Sequence, residues 1–405
     1  MSTPTIPLSR NRNYHILWGS QLLSELTGEI VQVAFPLLLF TLAGSPLRIG
    51  VVSAVLMAAH MAAVVPAGIV ADRWDRKKVM VACMGLRAVV MSGLAVAVAN
   101  GQWGFPLLIA VAVAEGALGS VFDPAEHAAL PQVVPQTQLA QAVARNSARP
   151  FVATLAGPAV AGFLFTLRPV TPFAVAAVLL AVSLVSLLFL RLPSREPSIV
   201  DSEPAVTAGF RWLLGQRLLR ATLLWMVLCN MVLSALVVIV LADSGESQVG
   251  AGEVGLTMAC LGAGGVLGGV FADRLRAALP PSVLLLGFSW VAPVLVALMA
   301  AVPAGLPLGG LLGAVMFLVP VANATVMTYQ LVHTPDGLRG RLSSVVGFCT
   351  GGAGALGPLV GGLLAGQNPG VGMVVCALAF LVLAVGVTAN PRLRGFPREP
   401  AEIRD

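Results

Sequence analysis

Apolar stretches of membrane-crossing length follow one another along the whole chain, separated by short polar breaks. They run over approximately 16–42, 49–70, 79–100, 104–122, 147–167, 171–190, 221–242, 253–272, 282–302, 306–328, 345–366 and 370–389. A helix needs about 20 apolar residues to cross the hydrocarbon core. A barrel strand would instead alternate apolar and polar positions over about ten residues. No such alternation is present, so the pattern predicts an all-α membrane protein with twelve transmembrane helices. The first stretch is too long for a signal-peptide core and no small-residue cleavage site follows it. It is therefore expected to be a helix of the mature protein.

The longest polar break, residues 191–220, divides the spans six and six. The expected organisation is an N-terminal six-helix bundle over 1–190, a cytoplasmic linker over 191–220, and a C-terminal six-helix bundle with a short cytoplasmic tail over 221–405. Within the linker, "TAGFRWLLGQRLLR" gathers Phe210, Leu213, Leu214 and Leu218 near one helical face. Two readings stand: a helix lying in the membrane surface, or a basic lead-in to the seventh span. The halves also repeat. "GIVADRWDRKK" after span two is matched by "GGVFADRLR" after span eight, placing Asp72-Arg73 and Asp273-Arg274 201 residues apart. Gly157-Pro158 in span five and Gly357-Pro358 in span eleven lie 200 residues apart. Duplicated six-helix halves are the pattern of secondary transporters, whose substrate site lies near the midplane between repeats.

Composition agrees: 57% of the residues are hydrophobic and 10% charged, against roughly 25% charged in a soluble domain. The net charge of +6 raises the question of nucleic acid, but its placement answers it. Basic residues occupy the N-terminus, every second loop and the C-terminus, while the alternate loops hold only Arg48 and Arg168. By the positive-inside rule both termini face the cytoplasm, as an even number of spans also requires. The chain is thus expected in a bacterial inner membrane, multi-pass, as a monomer among membrane lipids, with no nucleic-acid partner. Cys83, Cys229, Cys260, Cys349 and Cys376 all fall inside spans without a CxxC pair, and His15, His60, His127 and His333 are scattered. No metal site, disulfide or cofactor is expected. The absence of HExxH and of a Walker-type loop argues against an enzyme or an ATP-driven pump.

Three segments carry a family resemblance. "GIVADRWDRKK" resembles the loop signature of the major facilitator superfamily between helices two and three, G-x-x-x-D-R-x-G-R followed by Arg or Lys, with Asp75 in place of the usual glycine. "FDPAEHAALPQVVPQTQLAQAVARN", Phe122 to Asn146, is similar to the stretch after helix four in the macrolide-efflux-like drug exporters of that superfamily. "AGPAVAG" resembles the antiporter motif of helix five, whose family form ends G-P-x-x-G-G; Ala161 replaces one glycine. The resemblance covers essentially the whole chain and implies the major facilitator fold and alternating access. It also implies that Asp72 caps helix eleven near Leu342 to Val345. The implied conformational switch comprises Asp72, Arg73, Arg76, Asp273, Arg274, Gly157, Pro158, Gly357 and Pro358. Each Gly-Pro pair is expected to kink its helix and let a neighbour pack closely.

Inside the first oily run, "SELTGEIVQ" carries Glu25 and Glu29 one helical turn apart, with Gln21 and Gln32 extending the stripe. A charged group at the bilayer centre costs about 2.5–3.5 kcal/mol on insertion scales, so these side chains are expected to face the bundle interior or a water-filled cavity. A carboxylate that exchanges a proton as its exposure changes is the part needed to couple proton entry to substrate exit. Packing by two protonated, hydrogen-bonded glutamates is the plainer reading. Family resemblance puts Glu29 first as proton carrier, with Glu25 and then Glu115 next. Arg87 in span three either pairs with Glu115 in span four or snorkels to headgroups. His60 is a relay or simply packed. The expected substrate cavity draws on Glu25, Gln32, Arg87, Asn230 and Asn323, with Trp225, Met226, Phe317, Met327 and Phe348 as candidates for an adaptable apolar lining. The expected function is proton-coupled efflux of a small lipophilic drug or natural product; the alternative is a major-facilitator importer, a symporter of a nutrient or siderophore-type solute.

Overall fold

The computed structural model describes residues 8–41, 45–192, 215–332, 334 and 336–390. Among the described residues it is helical throughout, and twelve helices are long and apolar enough to cross a membrane. After a single 3-10 turn at Leu8–Arg10 come α1 (Arg12–Thr41), α2 (Pro46–Arg73), α3 (Arg76–Ala99), α4 (Phe105–Val133), α5 (Gln136–Leu167) and α6 (Thr171–Leu188). The second half contributes α7 (Arg217–Glu246), α8 (Ala251–Ala278), α9 (Pro281–Met299), α10 (Leu306–Val332), α11 (Asp336–Ala365) and α12 (Pro369–Ala389). Most of residues 191–220, including the proposed surface helix, lies outside the described residues, as does the tail from 391.

Helix starts follow local chemistry. Proline sits in the first turn of α4, α6, α9 and α12, where its missing N–H costs nothing. Asn368 caps α12, its side-chain oxygen accepting from the Val371 amide at 3.2 Å. Asp75 caps α3 by accepting from the Lys78 amide at 3.1 Å, with φ of −61°. That position therefore needs no positive φ. Aspartate in place of the usual glycine is explained by the cap it makes.

The largest departure from the hydropathy reading is at α4 and α5. Span four was expected to end near 122 and span five to start near 147, whereas α4 continues to Val133 and α5 already begins at Gln136. Only Val134 and Pro135 separate them. The polar residues of that stretch are not loop residues. Several turn inward and pair within the bundle, so their polarity hid a helix from the hydropathy pattern.

Contacts divide the chain into two compact units, the first comprising Met1–Gly44, Val55–Asp201 and Gly250–Ala259, the second Ser45–Ala54, Ser202–Val249 and Cys260–Asp405. The same packing scheme occurs in each. In the first unit α1 packs against α4, α5 and α6, and α3 against α4 and α6. In the second, α7 packs against α10, α11 and α12, and α9 against α10 and α12. The duplication read from two short motifs thus extends to the neighbours of α1, α3, α4, α5 and α6 in the first half and of α7, α9, α10, α11 and α12 in the second.

Close approaches are made at glycines, as expected where no hydrophobic driving force acts between helices in lipid. In the second unit Gly264 and Gly268 of α8 lie directly on the backbone of α10 at Gly313 and Phe317. A Cβ at Gly264 would run into the Gly313 carbonyl, and backbone cannot step aside as a flexible side chain can. Gly264→Val is expected to destabilise the protein by about 1–3 kcal/mol or more. The check is thermal unfolding in detergent against Gly265→Val, because Gly265 has nothing within 4 Å of an added Cβ.

Candidate functional site

The interior of the first unit holds a cluster of carboxylates and arginines contributed by α1, α3, α4 and α5. Residues one turn apart on a helix share a face, and this places Gln21 and Glu25 along α1, and Asp123 and Glu126 along α4. Arg87 of α3 is 3% exposed and Glu115 of α4 is 5% exposed. The guanidinium grips one carboxylate oxygen of Glu115 with both Nε, at 2.9 Å, and Nη2. Its Nη1 donates to the Ser24 hydroxyl of α1 at 2.5 Å. The expected pair forms, so snorkelling is not what Arg87 does. The arrangement ties three helices together.

A second arginine lies in the same interior. Arg149 of α5 donates from Nε to Glu25 Oε1 at 3.1 Å and from Nη1 to Glu126 Oε1 at 3.5 Å. The Arg149 side chain is 3% exposed and that of Glu126 0%, while Glu25 keeps 21%. Arginine is always charged, and a buried charge persists only where partners compensate it. Here two carboxylates share one guanidinium. The second oxygens of Glu25 and Glu126 are enclosed without a hydrogen bond from the described residues. Each can carry a proton without breaking its bond to Arg149.

Glu29 lies one turn further along α1. Its Oε1 accepts from the Thr154 hydroxyl of α5 at 2.8 Å. Gly157, the glycine of the α5 motif, lies directly against the Glu29 side chain, so close that a Cβ there would collide with it. The motif glycine and the first-choice proton acid are thus brought into contact. In the second unit Gly357 takes the matching place on α11, and a Cβ there would meet Ser234 Cβ of α7 at 2.6 Å. Ser234 stands where the first unit has Glu29. The duplication kept the helix crossing and left the acid out of one copy.

Around this centre, Gln21 donates to Asp123 Oδ1 at 3.1 Å, and His127 Nδ1 lies 3.3 Å from Glu126 Oε2. Arg149 is buried between acids and is not one of the basic loop charges. Neither it nor Glu126, Thr154, Ser24 or His127 was singled out as a site residue. The available signal was Asp123, Glu126 and His127 at spacings of three and four, which is meaningful only if that stretch is helical.

The remaining candidates are dispersed. Gln32 and His60 are exposed. The side chains of Asp72 and Arg73 lie outside the described residues, so the cap of helix eleven does too. Lys77 of the same loop donates to the Leu188 carbonyl at 2.8 Å, fastening the start of α3 to the end of α6. Asp273 is exposed and lies 3.8 Å from Arg276, while Arg274 stands 5.6 Å over the Phe271 ring. Asn230 donates to the Met226 carbonyl one turn back at 2.9 Å, and Asn323 is half-buried. Trp225 and Met226 are buried inside the second unit, with Trp225 edge-on to Phe288. Met327 and Phe348 are exposed. Among the described residues no group of histidine, cysteine or acid side chains is arranged to hold a metal ion.

A family profile of the Major Facilitator Superfamily matches residues 17–358. The chain is similar to the enterobactin exporter EntS of Salmonella choleraesuis (strain SC-B67), 26% identical over 403 residues, covering 96% of this chain and 94% of that one. It is likewise similar to EntS of Escherichia coli O1:K1 / APEC, 24% identical over 405 residues with the same coverage, 96% and 94%. Among solved structures, the fold is similar to that of the nucleoside transporter NupG, with TM-score 0.75 at 14% identity, covering 93% of this chain and 98% of that one. It is also similar to a bacterial homologue of the iron transporter ferroportin in an inward-facing state, with TM-score 0.70 at 17% identity, covering 92% and 97%.

Proposed function

We propose, from the premise that this chain belongs to the major facilitator superfamily, that it exports a lipophilic natural product or drug across a bacterial inner membrane in exchange for protons. It is a multi-pass membrane transporter and not an enzyme. Its curated relatives are, by name, exporters of enterobactin, which favours efflux over the symport alternative and makes a natural product the first substrate class to test.

The observation that carries proton exchange is the placement of Glu29. It is held by Thr154 and abuts Gly157, next to a Glu25 already bonded to Arg149. A carboxylate seated on the glycine of a helix crossing feels any change in that crossing, so movement of α5 against α1 alters its surroundings and its hold on a proton. Glu115 is committed to Arg87, which supports an anchoring role for it and leaves Glu29 and Glu25 as carriers. Both units are then needed for alternating access, with proton handling confined to the first.

The test uses cells lacking their own enterobactin exporter. The native chain is expected to lower cell-associated enterobactin, or a lipophilic dye, and collapse of the proton gradient to abolish the effect. Glu29→Gln should cut gradient-dependent efflux on the order of tenfold or more while the protein still reaches the membrane. Extrusion that survives loss of the gradient undiminished removes proton coupling. Increased uptake in place of loss reverses the direction and favours the symporter.

A further inference from the structure

We propose that the junction of three helix ends in the first unit is a headgroup site for an anionic phospholipid. It is built from Arg12 at the start of α1, Lys77 and Lys78 at the start of α3, and Arg191 just past the end of α6.

Three contacts close the junction. Lys77 Nζ donates to the Leu188 carbonyl at 2.8 Å. The Arg191 amide donates to Asn13 Oδ1 at 3.3 Å, joining the chain after α6 to α1. The Arg12 guanidinium stands 6.0 Å from the centre of the Phe189 ring. Cations from α1, α3 and the chain after α6 are thus gathered around residues 188–191. Arg12, Lys78 and Arg191 are exposed. Among the described residues of these three ends the one acid is Asp75, which caps α3 through the Lys78 amide. The last carbonyls of a helix amount to about half a negative charge, and at α6 Lys77 already answers it. The remaining cations repel one another unless an anion lies among them. Basic pockets between helix ends at a membrane surface take lipid phosphates for this reason.

Neither packing nor topology asks for this arrangement. In the second unit α9 packs against α12 as α3 packs against α6 in the first. The first turn of α9, Pro281 to Leu284, has no charged residue, whereas that of α3 reads Arg76-Lys77-Lys78. The helix pair therefore forms without cations. Orientation by positive charge needs basic residues in a loop, at no particular place within it.

The surface leading away from the junction suits an acyl chain. Phe189 is 60% exposed at the corner, and Leu188 and Trp74 are exposed with it. Aromatic rings at a membrane boundary sit at headgroup level. From there α3 and α6 run antiparallel, meeting again where Gly85 faces Leu184. The flanking Leu86 and Val89 of α3 and Val182 and Val185 of α6 are exposed. Cations at one end and an apolar lane leading from it match a phospholipid; a free phosphate would use only the first. The headgroup lies where α1, the helix of Glu25 and Glu29, is fastened to α6 and α3.

The test uses the full-length chain, purified in detergent and stripped of lipid, with bound lipid titrated by native mass spectrometry. Phosphatidylglycerol should bind at least about tenfold more tightly than phosphatidylcholine with the same acyl chains. Each cation beside an anionic headgroup is worth about fivefold in affinity, so Arg12→Gln combined with Arg191→Gln should weaken phosphatidylglycerol about twenty-five-fold. Phosphatidylcholine binding should not change in that variant, which shows that the fold is kept. Arg12→Lys, which keeps the charge, should bind like the native chain. So should Arg145→Gln, which removes an exposed cation of α5 near the same end of α1. Inorganic phosphate and glycerol phosphate, which lack tails, should not displace phosphatidylglycerol at millimolar concentration. Equal affinity for the two lipids, native binding by the double variant, or an equal loss in Arg145→Gln overturns the site. Displacement by either tail-less phosphate makes it a free-anion site and overturns the lipid assignment.

Discussion

Glu115→Ala is expected to be the most destabilising single substitution in the first unit. Removing that carboxylate leaves the Arg87 guanidinium, 3% exposed, with the Ser24 hydroxyl as its hydrogen-bond partner among the described residues and the Asp123 carboxylate at longer range. Breaking a buried ion pair from one side costs about 3–5 kcal/mol, because an uncompensated charge remains where water cannot reach it. The native stability of a domain is about 5–15 kcal/mol, so such a loss threatens folding outright. The expected result is a sharp drop in the monodisperse fraction in mild detergent and a lowered unfolding midpoint. The informative partner is the double variant Arg87→Met with Glu115→Leu, which removes both charges and roughly preserves volume. It should recover most of the stability, since replacing a whole buried pair by apolar side chains is often neutral or favourable. A single variant as stable as the native protein would mean that Arg87 finds another partner, and the anchoring role would be lost.

Gly157→Ala is expected to give the largest functional effect for the smallest chemical change. One added methyl would occupy the space of the Glu29 side chain, so α5 and α1 must separate by on the order of 1 Å to restore carbon–carbon contact. That movement lengthens the Thr154 bond to Glu29, now 2.8 Å, and shifts the acid from its seat. Misplacement on this scale lowers rates by as much as about a hundredfold in sites that depend on geometry. Gradient-dependent efflux should fall by at least about tenfold. Two controls separate site from scaffold. Gly28→Ala, beside Glu29 on the same helix, has nothing within 4 Å of the new carbon and should leave transport unchanged. Gly357→Ala meets Met231 and Ser234 in the second unit, a comparable steric fault with no carboxylate involved. It should lower stability while keeping the remaining efflux dependent on the proton gradient. If Gly157→Ala transports like the native chain, Glu29 does not depend on this crossing.

The architecture was legible at particular places for particular reasons. The boundaries of α6, α9 and α12 follow from uninterrupted apolar runs opened by a proline in the first turn. The end of α4 and the start of α5 escape the hydropathy pattern because Asp123, Glu126 and Arg145 make that stretch polar, and hydropathy cannot tell polarity turned to water from polarity neutralised by a partner. The Arg87–Glu115 pair was foreseeable because an arginine and an acid both sat deep in apolar runs. Arg149 was not, since it stands near a stretch of loop-like composition.

The sequence by itself determined the number of helices, their grouping into two related halves and the presence of acids where lipid would not tolerate them. These are properties of composition and spacing, and the cost of exposing charge or unpaired backbone to hydrocarbon fixes them locally. Only the tertiary structure decided which acid meets which arginine. Glu25 and Arg149 stand 124 residues apart and Glu29 and Thr154 125 apart, and such pairings depend on how deeply each helix sits and which face it turns inward. Those are set by close packing at residues such as Gly157, whose lack of a side chain says nothing in the sequence about what will fill the space.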